Sequence, residues 1–198
     1  MHSPTLNALA LTAAIATAAL SPIPAEAAPE RYVIDTEGAH AFIQFRIKHL
    51  GYSWLYGRFN DFGGSFTYDP NDTSNSSVQV EIKTASLDSN HAERDKHLRG
   101  GDFLDVAKYP TATFKSTSYK ETGFNKGVLE GKLTLKGITR PIRIDVARIG
   151  NGPDPWGAYR RGFEGTTRFA LKDFGIDYFL GPASRNVEMT LSVEGIRQ

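Results

Sequence analysis

His91, Glu93, Asp95 and His97 alternate with Ala92, Arg94 and Lys96 in one short polar run. On a helix, His91/Asp95 and Glu93/His97 stand four residues apart on one face, a spacing that could hold a divalent metal. The run lacks the His-Glu-x-x-His arrangement, and two cations sit among the would-be ligands. A structural network is the commoner outcome of such a mixture, with Arg94 and Asp95 pinning the helix through charge-assisted hydrogen bonds. No metal site is expected. Nor does the chain contain a Gly-x-Ser-x-Gly elbow, a phosphate loop or a dinucleotide fingerprint, and it has no cysteine. The expectation is a non-enzyme with no catalytic residues and no cofactor. Asn71-Asp72-Thr73 and Asn75-Ser76-Ser77 match the glycosylation triplet, but in a Ser/Thr/Asn-rich loop they read as chance.

Two loops offer binding chemistry instead. Residues 49–57 include Tyr52, Trp54, Leu55 and Tyr56, and residues 150–162 include Trp156, Tyr159, Arg160 and Arg161 among Gly and Pro. Trp54, Tyr56, Trp156, Tyr159, Arg160 and Arg161 are therefore candidates for a portal. Its aromatics would make transient contact with a membrane surface or a ligand, and its arginines would pair with a phosphate head group. The competing reading is that these side chains pack their own loops down.

The elements that position them follow from composition and pattern. The chain has 198 residues, 40% of them hydrophobic, and a formal charge of +1. That describes a globular protein, and the near-neutral balance argues against a nucleic-acid partner. Residues 6–20 form an Ala/Leu/Ile-rich run followed by Pro22, Pro24 and the small-x-small triplet Ala25-Glu26-Ala27, the pattern of a secretory signal peptide. Residues 1–27 are thus read as a leader and 28–198 as one exported, periplasmic domain. Without cysteine, no disulfide framework is available to it.

Alternation with a period of two dominates the remainder. Ile43, Phe45 and Ile47 alternate with polar neighbours, as do Val78, Val80 and Ile82. The same holds for Leu129, Gly131, Leu133 and Leu135, for Ile142, Ile144 and Val146, and for Val187, Met189, Leu191 and Val193. Each reads as a strand with one wet face. Adding 57–68, 111–119 and 163–171 makes eight strands, with one short helix in 91–104 capped by Asn90. Turn signals at 69–72, 123–127 and 136–137 make successive strands antiparallel neighbours. Gly63-Gly64 and Gly131 permit bulges or sharp coiling. The expected fold is all-β, an eight-stranded antiparallel barrel, because closure removes exposed strand edges; a two-sheet sandwich is the alternative.

The chain also resembles a known family through a series of words in order. They are Tyr32-Val33-Ile34-Asp35 with His40, Phe45-Arg46-Ile47-Lys48-His49-Leu50, Gly57-Arg58-Phe59 and Glu93-Arg94-Asp95-Lys96-His97-Leu98. After them come Asp102-Phe103, Tyr109-Pro110, Phe114-Lys115-Ser116, Gly131-Lys132-Leu133-Thr134, Gly137-Ile138-Thr139-Arg140-Pro141 and Asp173-Phe174-Gly175-Ile176. Together they are similar to the YceI family of bacterial exported proteins across the whole of 28–198. Tyr32 stands where that family often has Trp, and Ala41 follows His40 where Ser is usual. The resemblance implies a lipocalin-like barrel whose apolar interior holds a polyisoprenoid, such as a quinone or prenyl-carrier tail.

Strands of about ten residues, tilted near 40°, would enclose an interior about 25 Å tall, which suits a long chain. Phe45, Ile47, Val80, Ile82, Phe114, Leu133, Ile144, Phe169, Met189 and Leu191 are the residues expected to line it. Two outcomes stay open: an open tube holding an isoprenoid lipid, or an interior filled by its own side chains. Functionally these correspond to a carrier and to a ligand-free structural or stress protein, with an enzyme acting on an isoprenoid lipid as a further alternative. Apolar inward faces favour the carrier. Whether two barrels associate as a homodimer is left open.

Overall fold

The computed structural model describes residues 27–198. The expected leader, apart from its last residue, lies outside the described residues. In chain order the strands are β1 (Glu30–Ile34), β2 (Phe42–His49), β3 (Ser53–Phe59), β4 (Phe62–Tyr68), β5 (Ser77–Lys83) and β6 (Leu87–Asp88). The helix α1 (Ala92–Arg99) follows, and then β7 (Thr111–Gly123), β8 (Lys126–Leu135), β9 (Ile138–Pro153), β10 (Tyr159–Ala170) and β11 (Asn186–Arg197).

These eleven segments occupy eight positions around a closed barrel. β1 and β2 lie end to end along one flank of β11, pairing Tyr32 with Arg197 and Ile47 with Val187. β4 then pairs with β1, and β3 with β2. β5 pairs with β4 and β6 with β3, after which β5 joins β7 and each later strand pairs with the next. The β1–β11 pairing closes the ring, as expected for a sheet with one wet face, while the β2–β3–β6 branch ends at the two-residue β6, which pairs with β3 alone.

Three strand positions are broken, and each break is satisfied locally. Between β1 and β2, the Asp35 carboxylate accepts the Gly38 N–H at 2.8 Å and meets His40 Nδ1 at 2.9 Å. Between β3 and β4, the Asn60 N–H donates to the Ser86 carbonyl (3.1 Å), while the Asp61 carbonyl accepts from Lys83 N–H (2.9 Å). The stretch 57–68 is accordingly two strands rather than one, because the chain passes there from β2 and β6 to β1 and β5. Between β5 and β6, Thr84 donates its hydroxyl to the Tyr109 carbonyl at 2.7 Å. β1 carries too few residues for alternation to announce it.

The helix is shorter than the sequence suggests and is capped one residue later. Asn90 adopts a φ of 62° and gives its N–H to Asp88, so it cannot cap. His91 does so instead, its Nδ1 accepting the Arg94 N–H at 3.2 Å. Helix α1 ends at Gly100, whose N–H returns to the His97 carbonyl. Asp95 is buried and accepts from both the N–H and the hydroxyl of Ser89, and Arg94 donates Nε to the same hydroxyl at 2.8 Å. Arg94 and Asp95 thus pin the helix through Ser89 rather than to each other.

The β8–β9 turn, Lys136-Gly137, has both residues at positive φ (48° and 74°), matching the twist of the flanking strands. Opposite Gly131 the β7 register slips between Ser116 and Ser118, a bulge that bends the wall. A Cβ on Gly57 or Gly131 would lie 2.2 or 2.3 Å from Cζ of Phe45 or Phe114. The far end of each ring therefore occupies the space over a glycine of the neighbouring strand that a side chain there would fill.

Candidate functional site

Because the barrel is an up-and-down meander, successive hairpins alternate between its ends. One end holds the β7–β8 and β9–β10 hairpins, the 69–76 loop, and the start of β1 beside the end of β11. The other holds the β2–β3 turn, α1, the β8–β9 turn and the segment 171–185 between β10 and β11.

The first end is plugged. Tyr32, fully buried, stacks on Phe66 with centroids 4.7 Å apart, and Phe163 meets Phe66 edge-on at 5.6 Å. Arg161 is 5% exposed; its guanidinium lies 3.8 Å above the Tyr68 ring, donates Nε to Tyr32 Oη at 3.2 Å and Nη2 to Glu30 at 2.9 Å. A buried guanidinium supplied with a carboxylate, a hydroxyl and an aromatic face is a satisfied plug rather than a reactive group.

Above that plug the barrel is hollow. A cavity of about 610 Å³ runs from Ile34, Phe62 and Val193 to the second end. Its wall contains all ten residues expected from the alternation: Phe45, Ile47, Val80, Ile82, Phe114, Leu133, Ile144, Phe169, Met189 and Leu191. The filled-core outcome is therefore not what the side chains adopt. Two of these rings, Phe45 and Phe114, reach over Gly57 and Gly131 on the neighbouring strands, where a larger residue would displace them.

The mouth was legible in part: of the two loops marked by the sequence, 49–57 lies at this end and supplies His49 and Leu50, whereas the rest of the rim was not foreseen. Leu50, Tyr178 and Phe179 line the cavity while remaining exposed, Phe179 at 84%. His97 and Leu98 of α1 and Phe103 complete this rim, with His97 edge-on to Phe103 and Tyr178 at 5.0 and 5.2 Å. A signal was available in Ile176, Tyr178, Phe179 and Leu180, four large apolar residues outside any strand, broken only by Asp177 and following the left-handed Gly175.

The six portal candidates lie elsewhere. Trp54 and Tyr56 flank the cavity-lining Leu55, so alternation turns them to the outer wall. There Trp54 lies beneath the cations of Arg46 (4.2 Å) and Lys48 (4.1 Å). Trp156, Tyr159, Arg160 and Arg161 belong to the β9–β10 hairpin at the plugged end, because hairpins alternate and this one points away from the mouth. Tyr159 Oη accepts from Asn151 at 2.7 Å. Arg160 donates Nη1 to Asp35 and Glu194, both at 2.6 Å, and reaches Asp154 through Nε. These arginines are engaged by protein carboxylates at the plugged end, away from the mouth.

Asp35, His40 and Glu194 bring three donor atoms within 4.8 Å of one another, a grouping that in isolation would suit a cation. Arg160 already supplies the positive charge, and hydrogen bonds from His40 and Arg160 hold the Asp35 carboxyl at about 2. His91 and Asp95, the alternative ligand pair, are committed to capping the helix and to Ser89. Of the polar residues in the cavity wall, Thr167 and Ser184 give their hydroxyls to the carbonyls of Arg143 and Lys48. Among the described residues, these two wall hydroxyls are thus hydrogen-bonded to backbone rather than to a base.

Comparison with known proteins agrees with this architecture. A family model described as YceI-like domain matches residues 32–195. The UPF0312 proteins of Pseudomonas aeruginosa strain LESB58 and of Azotobacter vinelandii are 59% and 56% identical over 198 residues, the full length of each chain. The crystal structure of the Campylobacter jejuni YCEI protein superposes with a TM-score of 0.69 at 28% identity, covering 77% of this chain and 90% of that one. Burkholderia cenocepacia BcnA (TM-score 0.71, 23% identity, 81% and 98% covered) shares the fold. So does a polyisoprenoid binding domain from Saccharophagus degradans (0.61, 14%, 84% and 98%).

Proposed function

The chain belongs to the YceI family, and from that premise we propose that it is an exported, periplasmic carrier holding one long isoprenoid lipid in its barrel. The observation that carries the reading is the apolar cavity of about 610 Å³, plugged at one end and open at the other. Its size falls within the range of small-molecule sites, and its depth suits a chain better than a compact solute. Each buried methylene contributes about 0.8 kcal/mol, so a partly inserted twenty-carbon chain binds tightly even after ordering costs are subtracted. Such affinity needs no charged residue along the wall. The polyisoprenoid binding domain with the same fold supports the choice of ligand class.

Membrane contact is assigned to the mouth. Leu50, Tyr178 and Phe179 expose apolar surface around the opening, where a tail would pass between bilayer and barrel. The experiment that tests the proposal is native mass spectrometry of protein purified from the periplasm of its own host, followed by organic extraction. The expected result is a polypeptide that begins near Ala28 and carries an extractable isoprenoid. Protein that retains its leader would refute export. Protein that carries no lipid and binds no prenyl chain in titration would refute the carrier reading.

A further inference from the structure

The wall of the cavity is not laddered all the way round. Pairing between β9 and β10 ends at Asp145 and Thr166, although β9 extends to Ile138 and β10 to Ala170. Beyond that pair β9 is held by β8 and β10 by β11, and among the described residues the two facing edges share no further strand pairing. A side chain bridges them instead, the Thr167 hydroxyl donating to the Arg143 carbonyl at 2.6 Å. Nearer the mouth the turn Leu171–Phe174 fills the gap, with Arg140 Nε donating to the Asp173 carbonyl at 3.1 Å and the buried Phe174 ring against Phe169. Below that turn a groove opens on the outer surface, lined by Pro141, Arg143, Asp145, Arg168 and Asn186. Ile142, Thr167 and Phe169 line both this groove and the cavity, so the wall there is one side chain thick.

The local sequence keeps this seam from zipping. Continuing the register past Asp145 and Thr166 would set Arg143 directly opposite Arg168, and like charges opposed across a strand pair are destabilising. Each is drawn aside, Arg143 to Asp145 on its own strand at 3.0 Å and Arg168 towards Glu188 of β11 at 3.9 Å. Pro141 stands two residues from Arg143 and turns the same backbone edge to β10, where it has no N–H to give. From Pro141 to Asp145 the seam is about 13 Å long at the usual rise per residue.

We propose that this seam is a lateral gate: Ile142, Thr167 and Phe169 part, and an isoprenoid tail enters and leaves the cavity sideways between β9 and β10 rather than threading end-on through the mouth. The inference rests on the carrier reading and adds the route of exchange to it. End-on exit draws the deepest methylene along the whole tube, whereas a side slit shortens that path to the thickness of the wall.

The chain has no cysteine, so Arg143→Cys/Arg168→Cys introduces a single thiol pair that can be oxidised across the seam and reduced again. Both positions lie outside the cavity lining. The probes are geranylgeraniol and geraniol, twenty- and ten-carbon chains with the same head, preloaded on the whole mature chain and released to phosphatidylcholine vesicles. Oxidation should slow geranylgeraniol release about tenfold, the worth of wall contact by about two methylenes at the barrier, and slow geraniol much less. Both Kd values should stay unchanged, because a gate alters entry and exit alike, and reduction should restore the rate. Thr167→Val keeps the side-chain shape but removes the bridging hydroxyl, and should speed geranylgeraniol release about fivefold. It decides the matter if the thiols do not join, an unchanged or slower rate overturning the gate. An oxidised pair that releases geranylgeraniol at the reduced rate overturns the gate and leaves the carrier reading standing, as does one that weakens the binding of both chains alike. Failure of both chains to bind the wild-type protein overturns both.

Discussion

Leu133→Trp tests whether the hollow interior is the binding element. Leu133 is buried in the cavity wall on β8, across from Phe114 and two residues before the strand ends at Leu135. With a rise of about 3.3 Å per residue and a tilt near 40°, that places the side chain about 5 to 8 Å below the β8–β9 turn. Most of the cavity lies deeper. An indole there narrows the tube above the level that the distal half of a twenty-carbon tail must reach. Denying wall contact to three to five methylenes costs about 2 to 4 kcal/mol, or about 30- to 1000-fold in Kd. A ten-carbon chain, seated mostly above the obstruction, should weaken by less than about fivefold. The assay is titration of both chains into wild type and variant, with urea unfolding in parallel. Because the ring enters space already present, stability should change little. Equal weakening of the two chains would refute the deep-tube reasoning, and so would a stability loss of about 1 to 3 kcal/mol, the signature of an overpacked core.

Other consequences are equally specific. Asp95→Ala removes the one carboxylate oxygen that accepts both the N–H and the hydroxyl of the buried Ser89, on which Arg94 is anchored; it should cost about 2 to 4 kcal/mol in urea unfolding, with Asp95→Asn recovering part of the loss. Asp35, lowered from 3.8 to about 2 by its hydrogen bonds to His40 and Arg160, contributes stability that is fully present above pH 4 and lost as pH falls towards 2. Allowing for solvent screening through the half-exposed His40, the contribution is about 1 to 2 kcal/mol, and Asp35→Asn should flatten acid unfolding over that interval. Phe179→Ser should slow prenyl-lipid transfer from vesicles several-fold while leaving unfolding unchanged, since this side chain is 84% exposed; an unaltered transfer rate would show that the rim does not meet the bilayer.

The sequence by itself determined the class of fold, the inward face of each long strand and the ten wall residues. A strand has only two faces, and burial forces the apolar one inward, so local alternation is sufficient to sort Phe45, Ile47 or Leu133 from their neighbours. It also showed that the chain lacks the standard catalytic motifs. Whether the wall encloses a void was not legible, because that depends on how rings such as Phe45 and Phe114 seat over Gly57 and Gly131, contacts made across strands. Nor was the choice of mouth. Aromatic composition marked 49–57 and 150–162 equally, yet the parity of the meander sends the second hairpin to the plugged end, where Arg160 and Arg161 meet carboxylates from distant parts of the chain. The actual rim joins Leu50, His97 and Phe179, which lie far apart in sequence and meet only when the barrel closes. Strand pattern is local, whereas cavity and mouth are properties of closure, and that is the physical reason the first could be read from residues and the second only from their arrangement.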